Sequence, residues 1–561
     1  MVDQKPTLDQ GFLDLCLACR TGDLELAEKY IDDGVDLNQT DEWDYTPLVL
    51  ASICGHEDVL RLLLERGSTV NRDTFEGSRA LYGALTDSIV KILKKHDIGQ
   101  TVDASQPFAQ HFATLLSKPT FISADLFVRL DDETNEGFKA HRFVFDAFFS
   151  SGPLKDFALC QDLVKSKLPK FKTQSWNFLF RYSYLSPTFD LSGIDVDDLM
   201  QLAQELGVPQ MKIDVIEVLK QKSKANASKI KFEIQRNMNE TARINLKSFL
   251  HSKIFAKELI ILLDEENDSD DLEAAESYEI ISSLISPSQK LDLIEDSHAD
   301  IILATRLENS VLFYPAHRAV LSRAEYYETL FKSSFSECNV FHELEQEDLQ
   351  IIDVKKLHTD PFTIPVIQIP ELYECNSDLD RIHVTKILFD VLYHDDADIP
   401  EHLRCNTLML SDSLLFDRLK KISSISLTKI EQFSPEFSES PVLIYDVLRV
   451  GWYARVHRIE TFVARIFARN VSFYVKDPHF KDIVIESSER IKERQEVDSI
   501  ELIDDIRYFV AKKYVIDVDE LRDYGDLIKD MATDEFLERL ASYNKDIELI
   551  NKLLVDLGLD A

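Results

Sequence analysis

Long apolar runs and glycine are both scarce in this sequence of 561 residues. It has no stretch of about 18 consecutive apolar residues, and the opening MVDQKPTLDQ lacks the basic and apolar segments of a secretion signal. We therefore expect no membrane partner and an intracellular location, in the cytoplasm with the nucleus as an open alternative. None of the 15 glycines belongs to a phosphate-binding glycine-rich loop.

Cysteine is also scarce, with seven residues in the whole chain. An odd number without framework spacing fits reduced thiols better than disulfides. Cys16, Cys19, Cys54 and His56 could be zinc ligands, but no second pair of ligands accompanies them. The favoured interpretation is that the cysteines fill small apolar positions on helices, as free cysteine commonly does. The sequence therefore predicts no metal and no cofactor.

Basic residues are outnumbered, with 63 against 100 acidic residues and a net charge of -37. A surface of this sign repels phosphate backbones, so we expect no nucleic-acid partner. Residues 264–276 carry eight carboxylates and no cation. Like-charge repulsion predicts an extended, solvated loop there, and a docking site for a basic partner is the alternative.

The chain is long enough for about three to five domains. In its N-terminal part, several residues recur with a period of 33. The segment TPLVLAS begins with Thr-Pro, which caps and starts a helix. These residues resemble ankyrin repeats, and the resemblance implies an all-α array of three units over residues 1–100. The pairs that recur at this period are Ala18 and Ala51, Gly22 and Gly55, Gly34 and Gly67, and Asn38 and Asn71.

A larger duplication covers the middle of the chain. The segments FKAHRFVFDAFF and YPAHRAVLSRAEYY each place Ala-His-Arg after an aromatic residue. Each copy has the pattern of a strand, a turn, a second strand, a helix from His-Arg, and later a strand and helices. This plan resembles the BTB/POZ domain. The resemblance implies two α+β domains, a divergent one at 118–223 and a second at 297–427.

The repeated His-Arg pair allows two interpretations. The histidines could be general bases or metal ligands, although no nucleophile or second ligand pattern accompanies them. The favoured interpretation is structural: Asp125 pairs with Arg142, and Asp300 with Arg318, in partly buried ion pairs. No catalytic residue is predicted, and we expect the protein not to be an enzyme.

Two further regions have helical patterns. Residues 224–296 include INLKSFLHSKIFAKELIILL and the acidic loop, and residues 438–561 predict a helical bundle. Apolar residues spaced three to five apart from 443 to 466 predict a buried amphipathic helix. Both regions are similar to the BACK-like helical extension of BTB proteins. With RQEVDSIELIDDIRYFV at 494–510, the whole multidomain chain resembles the ankyrin-repeat and BTB/POZ-domain-containing protein family.

This resemblance implies a non-catalytic interaction scaffold. Many BTB domains recruit a cullin scaffold protein so that another domain can present a substrate protein for ubiquitylation. Phe335 and Glu337 match the apolar-x-Glu pattern of cullin contacts, with a solvated helix end as the alternative. An unidentified protein substrate would contact Trp43, Asp44 and Tyr45 on a β-turn finger of the ankyrin array, with ordinary packing between fingers as the alternative.

BTB domains also pair with one another. The resemblance therefore implies BTB-BTB pairing, either intramolecular or homodimeric. An assembly or regulatory scaffold that binds partners without any cullin is the alternative function.

Overall fold

The structure of the protein is a computed structural model, and the residues that it describes are mostly helical with two small sheets. In the part of the chain that it describes, no helix is both long and apolar enough to cross a membrane. The described residues are 10–32, 35, 37–41, 43–65, 68, 75–99, 107–117, 126–129, 137–148, 171–186, 191, 193–220, 224–263, 278–332, 364–373, 375, 377–428, 443–494, 500–518, 521 and 533–559.

Three helix pairs form the N-terminal part, and each pair packs on the next. Gly22 and Gly55 follow the first helix of their pairs and have positive φ angles of 76° and 84°. A Cβ atom at Gly22 would lie 2.4 Å from Nδ1 of His56, so both the backbone angle and the close contact require glycine there. The helices are α1 (Gln10–Thr21), α2 (Leu24–Asp32), α3 (Pro47–Cys54), α4 (Glu57–Glu65), α5 (Phe75–Tyr82) and α6 (Asp87–Gly99).

A hairpin and helices follow, and we call residues 126–219 the first unit. Strands β1 (Leu126–Arg129) and β2 (Gly137–Ala140) are antiparallel, with Leu126 opposite Ala140. The helix that begins at Arg142 comes directly after the hairpin. The helices are α7 (Pro107–Ser117), which precedes the unit, α8 (Arg142–Phe148), α9 (Thr173–Ser183), α10 (Val196–Glu205) and α11 (Pro209–Leu219).

The same order recurs in residues 301–427, which we call the second unit. Its antiparallel hairpin is again followed by a helix that begins at arginine, Arg318. Before it come α12 (Lys224–Phe249), β3 (Leu259–Leu262), α13 (Tyr278–Leu284) and α14 (Pro287–Ile294). The unit contains β4 (Ile301–Arg306), β5 (Ser310–Ala316), α15 (Arg318–Leu321), α16 (Glu325–Lys332), β6 (Val366–Gln368), α17 (Asp378–His394), α18 (Arg404–Ser413) and α19 (Asp417–Leu427).

Strand β3 corrects the helical prediction for the end of INLKSFLHSKIFAKELIILL. Helix α12 passes into a π-helical turn at Leu250–Ile254, and β3 then pairs antiparallel with β5, with Leu259 opposite Phe313. The sheet order is β3-β5-β4-β6, with β6 parallel to β4. A short apolar run does not distinguish helix from strand by its pattern, and here the neighbouring strand provides backbone partners.

The C-terminal helices pack around a second hydrophobic core, to which Leu408 and Met409 of α18 and Leu427 of α19 also contribute. The prediction of one helix from 443 to 466 is wrong, because Arg455 has a positive φ of 54° and the chain turns there between two helices. Gly451 lets these helices meet, since a Cβ atom there would lie 2.7 Å from Cγ2 of Ile459. The helices are α20 (Ile444–Tyr453), α21 (His457–Arg469), α22 (Val471–Tyr474), α23 (Pro478–Arg494), α24 (Glu501–Tyr514) and α25 (Asp534–Asp556).

The first and second units share a single hydrophobic core. The ring centroids of Phe143, in the first unit, and His317, beside the second unit's hairpin, are 4.2 Å apart. Phe249, at the end of α12, lies 6.5 Å from Phe143 and 5.9 Å from His317. Aromatic side chains at these distances attract one another and exclude water, so the two units are packed as one body.

Helix α7, before the first unit, packs on the second unit, and helix α12, which follows the first unit in sequence, packs back on it. Nε2 of His111, on α7, donates a hydrogen bond to the carbonyl oxygen of Ala319 in the second unit, at 2.7 Å. Nδ2 of Asn245, on α12, donates to the carbonyl oxygen of Phe148 in the first unit, at 3.2 Å. These crossed contacts add polar specificity to the shared core.

His111 gives the shared core a dependence on pH. Burial, assisted by the charge of Arg323, lowers the pKa of His111 to about 4 against an ordinary value of 6.5. The folded state therefore favours neutral His111, and this stabilisation is present above about pH 6.5 and lost as the pH falls toward about 4. We expect this group to reduce the free energy of unfolding by up to about 3 kcal/mol across that window, measured by urea denaturation.

The matched variant is His111→Gln, which retains a hydrogen-bond donor but does not titrate. Its free energy of unfolding should vary less with pH than that of the parent over the same window. Equal pH dependence in the two proteins would contradict the assignment.

Candidate protein-interaction site

The loop before α3 forms a tight turn around one buried aspartate. Oδ1 of Asp41 accepts hydrogen bonds from the backbone N–H of Trp43 at 3.0 Å and of Tyr45 at 2.9 Å. Asp44, between them, has a positive φ of 60°. An aspartate that binds the backbone a few residues ahead is a common way to fix such a turn. Thr46 then caps α3 by accepting the N–H of Val49. We call Asp41 and residues 43–46 the finger.

Cations from the neighbouring helix pairs hold the finger from both sides. Nη2 of Arg20, on α1, lies 2.9 Å from Oδ2 of Asp41, and its guanidinium lies 5.8 Å from the Trp43 ring. Arg79, on α5, donates to the carbonyl oxygen of Trp43 at 3.2 Å and lies 4.1 Å from the Tyr45 ring. The finger is therefore fixed in position before any partner binds.

The three predicted contact residues differ in exposure. Trp43 is 58% exposed, a large apolar surface next to a cation. Asp44 is also exposed, whereas Tyr45 is half-buried beneath Arg79. Fixed aromatic side chains are well suited to binding proteins, because they bring apolar area at a small entropy cost. Trp43 is the residue of the finger best placed for such a contact.

Sequence reasoning missed Arg20 and Arg79. Arg20 lies 21 residues from Asp41, and Arg79 lies 36 residues from Trp43, so no local motif joins them to the finger. The signal that could have found them is the repeat period, which stacks consecutive units and brings their first helices beside the finger.

The histidines of the two His-Arg motifs are buried and hydrogen-bonded to tyrosines. Tyr393 donates its hydroxyl proton to Nδ1 of His317 at 2.7 Å, and Nε2 of His317 donates to the carbonyl oxygen of Ser297 at 2.9 Å. In the first unit the Tyr184 hydroxyl lies 3.1 Å from Nδ1 of His141. Both ring nitrogens of His317 thus form hydrogen bonds within the protein. This geometry agrees with a structural role for the motif.

The arginine of the second motif contacts Asp300. Nε of Arg318 lies 2.9 Å from Oδ2, and the Arg318 backbone N–H donates to Oδ1 at 2.8 Å. In the first motif Arg142 begins α8 and is half-buried, but Asp125 lies outside the described residues. Phe335 and Glu337 lie outside the described residues as well.

A second buried aspartate, which the sequence reasoning also missed, binds three arginines. Asp395 caps the end of α17 with a positive φ of 66°, and its side chain is 3% exposed. It forms ion pairs with Arg243 at 3.0 Å, with Arg418 at 2.8 Å and with Arg323. We call these four residues the Asp395 cluster.

The Asp395 cluster joins segments from across the central core. Arg243 belongs to α12, Arg418 to α19, and Arg323 to the turn between α15 and α16. The ring of Phe108, on α7, lies 5.2 Å from Arg243 and 5.1 Å from Arg323. Burial lowers the pKa of Arg323, and the charge of Asp395 opposes that effect. The carboxylate therefore makes the burial of several positive charges possible.

The cysteines of the C-x-x-C pair lie buried on α1. Burial raises the pKa of the Cys16 thiol to about 12 and also raises the pKa of Cys19. Raised pKa values favour the protonated thiol, whereas a metal needs the thiolate. Nε2 of His56 donates to the carbonyl oxygen of Arg20 at 3.0 Å. Within the described ranges, no group of three or more His, Cys, Asp or Glu side chains is arranged to hold a metal ion.

Comparison with known proteins finds relatives that match nearly the whole chain. A family model described as ankyrin repeats (3 copies) matches residues 15–105. The ankyrin repeat-containing protein YIL001W of Saccharomyces cerevisiae is 30% identical over 557 residues, covering 99% of each chain. BTB/POZ domain-containing protein 3 of Schizosaccharomyces pombe is 31% identical over 558 residues, covering 98% of this chain and 90% of its own. No solved structure gives a significant match.

The chain therefore belongs to the ankyrin-repeat and BTB/POZ-domain-containing protein family. Its N-terminal part consists of ankyrin repeats.

Asp395 provides a test of the cluster. Asp395→Asn would leave the buried Arg323 and the partly exposed Arg243 and Arg418 without their counter-charge, and we expect it to lower the free energy of unfolding by about 3 to 5 kcal/mol. The measurement is urea denaturation followed by tryptophan fluorescence, to which Trp176, buried in the shared core, contributes. Asp396→Asn makes the same change at the exposed next residue and should cost under about 0.5 kcal/mol. Similar losses in the two variants would contradict the role of Asp395.

Proposed function

We propose that this protein is a non-catalytic interaction scaffold that acts as a substrate-recognition adaptor of a cullin-RING ubiquitin ligase. Residues 118–223 and 297–427 are its BTB/POZ domains, and residues 224–296 and 438–561 are BACK-like helical regions. The second BTB domain docks the cullin through Phe335 and Glu337. The ankyrin repeats bind the protein substrate.

The observation that carries the substrate-binding half of this proposal is the finger. A partner gains most from side chains that are already fixed and pays least entropy for ordering them. Asp41, Arg20 and Arg79 fix the finger while Trp43 stays exposed. The S. pombe relative, which is named a BTB/POZ domain-containing protein and is similar over 98% of this chain, supports the BTB half.

The shared core supports an arrangement in which the two BTB domains pair within one chain. Phe143 and His317 lie in contact at the centre of that core. Because each unit covers the pairing surface of the other unit in the same chain, that surface is not available to a second copy of the chain. Partners therefore bind to other surfaces. The same observation also supports the second candidate function, an assembly or regulatory scaffold that binds no cullin.

Affinity isolation from cells, followed by mass spectrometry of the bound proteins, tests the adaptor role. The double variant Phe335→Ala, Glu337→Ala removes both the apolar and the acidic group of the docking pattern, and we expect at least about a tenfold loss of cullin. Trp43→Ala is the matched variant at the other end, and it should retain cullin but lose a set of other partners.

The pattern of the two variants decides between the two functions. If the parent recovers no cullin while Trp43→Ala still loses partners, the protein is a scaffold without a cullin. If the double variant retains as much cullin as the parent, the docking assignment to Phe335 and Glu337 is wrong.

A further inference from the structure

The end of the C-terminal helical region contains a groove lined with basic residues, although the chain as a whole is strongly acidic. Helices α21 and α24 pack side by side, and a cavity of about 380 Å³ opens between them near their C-terminal ends. Six residues line this cavity, and we call it the basic groove. They are Arg465, Ala468, Arg469, Phe509, Lys512 and Lys513.

Three of the four cations have no acidic partner in the described part of the chain. Among the four, only Lys513 forms an ion pair with a described carboxylate, and its Nζ lies 3.0 Å from Oδ2 of Asp546. Arg465, Arg469 and Lys512 are exposed and form no ion pair with a described carboxylate. Elsewhere exposed arginines do pair, as Arg61 does with Glu57 at 2.7 Å. A group of unpaired cations in a chain of net charge -37 is a local attractive field for an anion.

Helix stabilisation explains only part of this charge. Cations in the last turn of a helix interact favourably with its terminal carbonyl groups, and Arg469, Lys512 and Lys513 occupy such positions. Arg465 lies one turn earlier, and its guanidinium is 5.1 Å from the ring of Phe509. That contact holds Arg465 over the groove rather than at a helix end.

The floor of the groove is apolar. Ala468 is buried, and Phe509 is half-buried between the cations. Beside it, Tyr508 is 52% exposed and lies 4.5 Å from Nζ of Lys512. Aromatic rings next to cations suit a ligand that has both carboxylates and an apolar side chain. A peptide with alternating acidic and apolar residues has this chemistry.

The net charge of the chain favours a short acidic ligand over a nucleic acid. Charges are screened beyond about 10 Å at 0.1 M salt, so a short peptide in the groove senses mainly the local cations. A nucleic acid extends far beyond the groove and meets the acidic surface on either side.

We propose that the basic groove binds an acidic peptide segment of a partner protein, with an apolar side chain of that segment against Phe509. The site shares no residue with the finger or with the predicted docking pair Phe335 and Glu337, and it does not depend on the adaptor role. It gives the helical C-terminal region a binding function of its own.

The test uses the full-length chain and a short fluorescein-labelled peptide of alternating glutamate and leucine, followed by fluorescence anisotropy. We expect the parent to bind this peptide, and to bind it less tightly as NaCl rises from about 0.05 M to about 0.3 M. Arg469→Glu reverses a charge in the groove and should weaken binding at least about tenfold. Lys552→Glu reverses an exposed charge on α25, outside the groove, and should leave binding within about twofold of the parent.

Two controls complete the design, and a labelled DNA duplex serves as the competing ligand. Equal urea midpoints for the parent and both variants establish that the fold is intact. A lysine-leucine peptide of the same length can be attracted to the acidic surface, but Arg469→Glu should not weaken its binding. The proposal is overturned if the acidic peptide fails to bind the parent, if Arg469→Glu and Lys552→Glu bind it equally, or if a labelled DNA duplex binds more tightly than the peptide and depends on Arg469.

Discussion

Phe143 and His317 lie 4.2 Å apart in the core that the first and second units share, and the arrangement of the central part of the chain depends on this packing. The hydrophobic effect holds the two units together, and the crossed hydrogen bonds of His111 and Asn245 fix how they meet. Duplication of the unit therefore has a direct physical result. The chain contains its own partner for a surface that a single unit would expose.

The charged side chains within this core are paired with groups of opposite charge. A buried carboxylate at Asp395 allows Arg243, Arg323 and Arg418 to approach one another from separate helices. On the ankyrin repeats Asp41 fixes the finger by a similar principle, with its carboxylate bound to Arg20 and to backbone N–H groups. In both places one aspartate organises groups that are distant in sequence. A buried aspartate paired with arginine thus stabilises both the central core and the finger that carries Trp43.

Sequence patterns predicted the parts of the fold that repeat. The period of 33 residues identified the ankyrin repeats because it follows from backbone requirements, such as the positive φ of Gly22 and Gly55. Predictions based on apolar spacing alone were wrong where tertiary contacts decide. Strand β3 forms because β5 offers hydrogen-bond partners, and the predicted helix from 443 to 466 is divided at Arg455. The Asp395 cluster and the arginines beside the finger join distant residues, so no local motif could reveal them.

Pairing of the two units within one chain is the central claim, and sedimentation equilibrium of the full-length protein tests it most directly. Since the shared core is filled from inside, the account predicts the mass of a single chain, 64.5 kDa, at low micromolar concentration. If the units instead paired between chains by exchange, the mass would be twice that value under the same conditions, and this result would contradict the account.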